Sequence, residues 1–266
     1  MIINRSQKRV VIDCFPESVD RYAADHAIVA VDVIRATTTA VTAVAVGRRC
    51  FPVETVDAAV ALAPRLKDPL LVGELGGSMP YGFDLNNSPA EIFSRDDVDR
   101  PVILLSTSGT RLMCGVSRSQ AVYVACLRNY RATASHLAAR HSAVAVIGAG
   151  ARGDFREEDQ LGCAWIARLL FDAGFAAESQ GTTEIVGRWQ GAPIHTITSG
   201  ASAEYLRRTD QEKDLDFILS HVDDVDAALV VKADEVVRVR VQVSSPDGRL
   251  LHAGREPGPV RQSPGG

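Results

Sequence analysis

Short apolar runs alternate with helix-patterned segments along most of this chain, and several runs end on a charged or hydroxyl residue. Residues 10–13, 28–33, 49–53, 70–73, 101–105, 121–125 and 143–147 are rich in Val, Ile, Leu or Ala and have the length of buried strands. Between them, residues 55–63, 130–140 and 157–172 read as helices. The last is the clearest amphipathic segment, with Leu161, Ala164, Trp165, Ile166, Leu169 and Leu170 apolar. Thr55 is placed to cap one helix, and Ser88-Pro89-Ala90-Glu91 is a capping box with proline at the first helical position. The alternation from residue 27 to 174 predicts an α/β fold, with mixed strands in a sheet or sheets and helices on both faces, a three-layer arrangement with room for two lobes. Residues 1–245 are expected to form one domain, and the Pro- and Gly-rich residues 246–266 a flexible tail. The pattern weakens over 175–200, where a hairpin of 184–190 and 193–197 is predicted. Helices at 203–209 and 215–221 and strands at 227–231 and 237–243 follow.

The segment AIVAVDVIRATTTAVTAVAVG, residues 27–47, organises the rest. An apolar strand ends at Asp32, Arg35 follows, and Thr37, Thr38 and Thr39 open an alanine–valine helix closed by Gly47. A helix start offers unpaired N–H groups and partial positive charge, to which an acid, a base and hydroxyls add metal- and phosphate-binding capacity. The structural alternative is that Asp32 caps the helix and the threonines bond back to carbonyls.

Composition narrows the function. The 266 residues are 46% hydrophobic with a net charge of −4, and no run of Lys or Arg suggests nucleic-acid binding. The N-terminal stretch MIINRSQKRVVIDCF lacks the apolar core of a signal peptide, and no segment reaches the ~20 apolar residues of a membrane span. A soluble, cytoplasmic protein is expected, with neither nucleic acid nor membrane as partner. The five cysteines are scattered without a C-x-x-C, so buried thiols are expected. Cysteine-phosphatase chemistry needs arginine six residues after the nucleophile, and Gln120, Ala132 and Leu169 hold those places after the last three cysteines. No histidines pair at metal-ligand spacing.

Four more loops carry candidate chemistry. Residues 74–89, ELGGSMPYGFDLNNSP, are long for a loop without use. Ser106-Thr107-Ser108-Gly109-Thr110-Arg111 repeats the strand–hydroxyl–arginine arrangement, and Arg128 and Asn129 follow another strand. Gly148, Gly150 and Gly153 satisfy G-x-G-x-x-G. Yet the helix opens late, at Glu157, and no strand ends in an acid ~20 residues on, so a glycine-rich loop is supported and a dinucleotide is not. An NAD- or FAD-dependent oxidoreductase using this loop, and a non-catalytic anion-binding protein, are the alternative functions.

The blocks VDVIRATTTAVTA, GELGG…GFDLNNSPAE, LSTSGTR, the Asn129 region and AGARGDFREEDQLGCA, taken in order, resemble the 2-phosphosulfolactate phosphatase family from about residue 27 to 165, with a weaker match over 199–216. The resemblance implies a magnesium-dependent acid phosphatase of α/β fold, linked to coenzyme M biosynthesis. Position by position it points to Asp32, Arg35, Thr37 and Thr38, then Glu74, Gly82, Asp84 and Ser88, then Thr107, Gly109, Thr110 and Arg111, and finally Asn129 and Asp159. Three positions depart from the family pattern: Leu75 stands in place of an arginine, Ser108 of an asparagine and Asn86 of a glycine.

Under this resemblance Asp32, Glu74, Asp84 and Asp159 are the candidate Mg²⁺ ligands or bases, since hard carboxylates suit that ion. Arg35 and Arg111 are the candidate phosphate clamps, and Thr37, Thr38, Ser88, Thr107, Gly109, Thr110 and Asn129 the candidate substrate contacts. Haloacid-dehalogenase chemistry needs an acid two residues after Asp32, where Ile34 stands, and no R-H-G marks a histidine phosphatase. The expected substrate is a small, doubly anionic phosphate ester. 2-Phosphosulfolactate comes first, with phospholactate or phosphoglycolate as carboxylate analogues. A homodimer is left open.

Overall fold

The computed structural model describes residues 7–115, 121–151 and 153–239. The expected tail at 246–266 and the end of the strand expected at 237–243 lie outside them. The first half of the chain supplies β1 (Arg9–Asp13), α1 (Val19–Tyr22), β2 (Ala27–Val31), α2 (Ala36–Ala45), β3 (Cys50–Val53), α3 (Val56–Leu62) and β4 (Leu70–Gly73). Next come α4 (Pro89–Ser94), β5 (Val102–Leu105), α5 (Gly109–Cys114), β6 (Val122–Ala125), α6 (Tyr130–Arg140), β7 (Ala143–Gly148) and α7 (Glu157–Asp172). The remainder is β8 (Ala176–Ala177), α8 (Gln180–Arg188), α9 (Ala201–Arg208), α10 (Glu212–Ser220), β9 (Leu229–Lys232) and β10 (Glu235–Arg238).

The strands form one mixed sheet in the order β4-β5-β3-β10-β9-β6-β2-β7-β1-β8. Strands β4, β5 and β3 run parallel to one another, as do β6, β2, β7, β1 and β8. The antiparallel hairpin β9–β10 joins the two sets, pairing Val236 with Cys50 on one side and Tyr123 with Val230 on the other. Following the pairings across, the two parallel sets point in opposite senses. A flat sheet would therefore put the C-terminal ends of β2 and β5 on opposite sides. Instead they touch, because Gly109, which opens α5 after β5, packs directly on the Asp32 carboxylate after β2. The sheet wraps around α2.

That position explains why α2 is a helix at all. Its sequence, ATTTAVTAVA, has weak intrinsic propensity, but nine of its ten residues are buried. It packs on β6 from one parallel set and on β3 and β5 from the other. The central core accordingly mixes Ile28, Val124 and Ile147 with Leu70, Val102 and Leu104 around Ala40, Val41 and Val44. The alternate residues of β2 and β7, such as Val29, Val31, Val144 and Val146, face a second core with Leu137 of α6 and Leu161, Ile166 and Leu170 of α7. Helices thus cover both faces, as the α/β pattern predicts.

Both predicted N-caps form, but the capping box at 88–91 does not close, because the Ser88 N–H donates to the Asn86 carbonyl and Glu91 accepts from Lys213 instead. Thr55 accepts from the Ala58 N–H at 3.0 Å, and Ser88 accepts from the Glu91 N–H at 3.1 Å. The hairpin expected at 184–197 is absent; α8 and a 3₁₀ turn stand there. Ser179 caps α8 through the Thr182 N–H at 3.2 Å, and Thr182, Val186 and Trp189 form its buried face. That spacing of four and three is helical, and the glycines at 181 and 187 obscured it. The five cysteines are all free thiols. Among the described residues no helix is long and apolar enough to cross a membrane.

Candidate active site

Both strand ends that meet under α2 are built the same way. Thr37 Oγ1 accepts from the Asp32 N–H at 2.9 Å and donates to the Asp32 carbonyl at 2.8 Å. Thr110 Oγ1 accepts from the Ser106 N–H at 2.9 Å and donates to the Ser106 carbonyl at 2.8 Å. Thr38 donates to the Val33 carbonyl at 2.8 Å. These hydroxyls hold the strand-to-helix turns, each satisfying backbone groups that the strand no longer pairs. Asp32 Oδ1 accepts from the Ala36 N–H at 3.1 Å, while a Cβ added at Gly109 would lie 2.2 Å from Oδ2. Only glycine lets α5 approach that carboxylate.

A cavity of about 310 Å³ opens beside these turns, lined by Asp32, Arg35, Glu74, Thr107, Arg156 and Asp159 among others. Glu74 ties the rim together. Its Oε1 accepts from the Thr107 N–H at 2.8 Å, and its Oε2 accepts from the Gly77 N–H at 2.7 Å and the Thr107 hydroxyl at 2.9 Å. Tyr205 of α9 donates to the Gly77 carbonyl from the opposite wall. Asp159, in the first turn of α7, accepts from the Val33 N–H at 2.8 Å and the Gly150 N–H at 3.1 Å. The glycine-rich loop therefore serves a carboxylate of this chain with the N–H of Gly150.

The acids crowd one another. Burial pushes the Asp32 carboxyl up to about 7; the Ala36 N–H and Arg35 oppose this, and the charges of Glu74 and Glu158 add to it. Burial likewise raises Asp159 well above the usual carboxylate range, with Asp32 and Glu158 contributing. Glu158 is raised by burial as well, only partly offset by the nearby Ser202 hydroxyl, and neither of its carboxylate oxygens has a hydrogen-bond partner of good geometry. Among the described residues no group of three or more His, Cys, Asp or Glu is arranged as a metal site. Mg²⁺, however, takes one or two carboxylates and keeps several waters. Desolvated carboxylates that raise one another, with Glu158 unpartnered behind them, are a donor set that fits such a cation.

Arg35 reaches the cavity from a buried anchor, after a cis Ile34–Arg35 peptide. Its Nη1 donates to Asp214 Oδ2 at 2.6 Å and to Gln211 Oε1 at 2.7 Å. Asp214, wholly buried in α10, uses Oδ1 to accept from the Ser88 hydroxyl at 2.6 Å and the Ala90 N–H at 3.1 Å. Ser88 is thus a cap and a brace for the arginine's partner, placed away from the cavity lining. Asp214 and Arg156 escaped the reading of the sequence. An acid in the first turn of a helix reads as dipole compensation, and a lone arginine before one as a surface charge.

The remaining candidates lie elsewhere. Asp84 is exposed and accepts from the Leu71 N–H at 2.8 Å, anchoring the loop to β4 away from the cavity. Asn129 is fully buried, accepting from the Cys126 N–H at 3.0 Å and donating to the Val124 carbonyl at 3.1 Å. Gly82 is a turn residue with φ of 83°. Arg111 lines an adjoining cavity of about 390 Å³ that shares Thr107 and Ser108 with the first. Leu75 points outward at the rim, 53% exposed.

Comparison with known proteins gives one consistent description across the matches. A family model described as 2-phosphosulpholactate phosphatase matches residues 14–233. A probable 2-phosphosulfolactate phosphatase of Deinococcus radiodurans is 32% identical over 214 residues, 79% of this chain and 88% of that protein. Proteins of the same description from Pseudothermotoga lettingae and Carboxydothermus hydrogenoformans are 41% and 34% identical, over 55% and 59% of this chain. Those two matches span 62% and 65% of the relatives' own length, just under two thirds.

Proposed function

The chain belongs to the 2-phosphosulpholactate phosphatase family, and from that premise we propose that it hydrolyses 2-phosphosulfolactate, or a close 2-phosphorylated hydroxy acid, to the hydroxy acid and inorganic phosphate. The observation that carries this reading is the gathering of Asp32, Arg35, Glu74, Thr107 and Asp159 around one cavity, from strand ends of both parallel sets and from the first turn of α7. In the net reaction a water oxygen bonds to phosphorus, the P–O ester bond breaks, and a water proton ends on the hydroxy-acid oxygen.

Each residue has a task in that reaction. Arg35 donates to phosphate oxygens, and its guanidinium is kept in place by Asp214 and Gln211. Such pre-set donors stabilise charge on the equatorial oxygens without reorganising. Glu74 fastens the 74–77 loop to Thr107 and so closes the rim against bulk water. Asp32 and Asp159 would hold a Mg²⁺ ion, which when bound supplies positive charge against the phosphate. Five free thiols suit a reducing compartment, and the cytoplasm is the proposed setting.

Phosphate release from 2-phosphosulfolactate, phospholactate, phosphoglycolate and phenyl phosphate, with Mg²⁺ or with a chelator, tests this. Metal-dependent turnover that favours the esters bearing a second anion is expected. No phosphate from any ester, with any divalent cation, would overturn it.

A further inference from the structure

Among the described residues three arginines line the cavity, and they differ in what already neutralises them. Arg35 is bound to the buried carboxylate of Asp214. Arg208 faces Glu204 at 3.7 Å, both of them exposed. The Arg156 side chain makes no ion pair or hydrogen bond among the described residues, although it is half-buried.

Its position makes this harder to explain by stability. Arg156 is the N-cap of α7, a helix of 16 residues, and contributes no side-chain cap. A cation at that end opposes the helix dipole, and residues that do cap are strongly preferred there. The acids after it, Glu157, Glu158 and Asp159, do not pair with it; its charge lowers the Glu158 carboxyl only as a field effect. An unpaired arginine kept at an unfavourable helix end, on the wall of a cavity, is a cation waiting for an anion.

We propose that Arg156 is a specificity-determining residue that binds the substrate's second anion, a sulfonate or carboxylate near the ester-bearing carbon. This rests on the phosphatase reading given above. Leu75 turns its apolar side chain to solvent at the rim and brings no charge. Arg156 supplies a cation from another wall, beside Asp159, leaving Arg35 to the phosphate. A guanidinium fork matches either a sulfonate or a carboxylate with paired N–H donors.

The test compares the wild type with Arg156→Gln and Arg156→Lys. The kcat/KM ratio of 2-phosphosulfolactate to phenyl phosphate, which has no second anion, should fall about 10- to 100-fold in R156Q, chiefly through KM, and less in R156K. An unchanged ratio would overturn the proposal. Calorimetric binding of sulfoacetate, a sulfonate–carboxylate dianion without phosphate, separates the two readings. If 2-phosphosulfolactate is not hydrolysed but sulfoacetate binds wild type and not R156Q, the phosphatase reading fails and Arg156 stands. If hydrolysis holds and R156Q binds sulfoacetate as wild type does, Arg156 fails and the phosphatase reading stands.

Discussion

Replacing Asp32 with asparagine should stabilise the metal-free protein while destroying its activity. Asp32 is buried, and its carboxyl is raised from 3.8 to about 7. The native state therefore holds a proton that the unfolded chain has released, and stability falls as pH rises from about 4 to 7. At pH 8 the penalty is complete. A shift of about three units at about 1.4 kcal/mol each gives up to about 4 kcal/mol. The substituted amide keeps an oxygen for the Ala36 N–H, which Asp32 Oδ1 now accepts at 3.1 Å, and carries no charge to desolvate. For a chain of this length that is a rise in melting temperature on the order of 10 °C. Scanning calorimetry in chelator should show the gap at pH 8 and its closure near pH 4. Added Mg²⁺ should raise the wild type and leave D32N where it was, with turnover lower by about a hundredfold or more in the variant. Equal melting temperatures for the two proteins at pH 8 would refute the electrostatic argument.

Asp214→Asn leaves the buried Arg35 guanidinium without its counter-charge and should cost about 3–5 kcal/mol in urea unfolding, with a fall in kcat/KM. A loss below about 1 kcal/mol would mean that Gln211 Oε1 and Asn86 Oδ1, which also accept from Arg35 at 2.7 and 3.5 Å, suffice to hold the arginine. Asp84→Ala removes the acceptor for the Leu71 N–H and should cost about 1 kcal/mol of stability while Mg²⁺-dependent turnover persists. A collapse of Mg²⁺ affinity in D84A would instead put this carboxylate in the site.

Much of the fold was legible because its signals are local. Seven strands and the helix at 157–172 follow from short apolar runs and an amphipathic period, and Thr55 and Ser88 announce their caps in sequence. The 184–197 segment misled because Gly181 and Gly187 dilute a helical face that only packing against β1 reveals, where Thr182 accepts from the Ile12 N–H. The opposed sense of the two strand sets is invisible in sequence, since it depends on which strands the last hairpin joins. Asp32, Glu74 and Asp159 could be nominated as acids at element ends. Whether a carboxylate faces a cavity or braces a backbone, as at Asp84, is decided by contacts with distant residues. Arg35 shows the same limit: its partner lies 179 positions away.

That separation bears on how the molecule comes into being. Asp32 and Arg35 leave the ribosome well before Tyr205, Gln211 and Asp214, the residues that make them a site, and the hairpin joining the strand sets comes later still. Loop closure over such spans is slow compared with local helix formation. Until α9 and α10 are made, a nascent chain carries Asp32 and Arg35 without one wall of the cavity that places them. The arrangement around Arg35 thus needs α10, and a chain cut before that helix would carry Arg35 with no buried counter-ion.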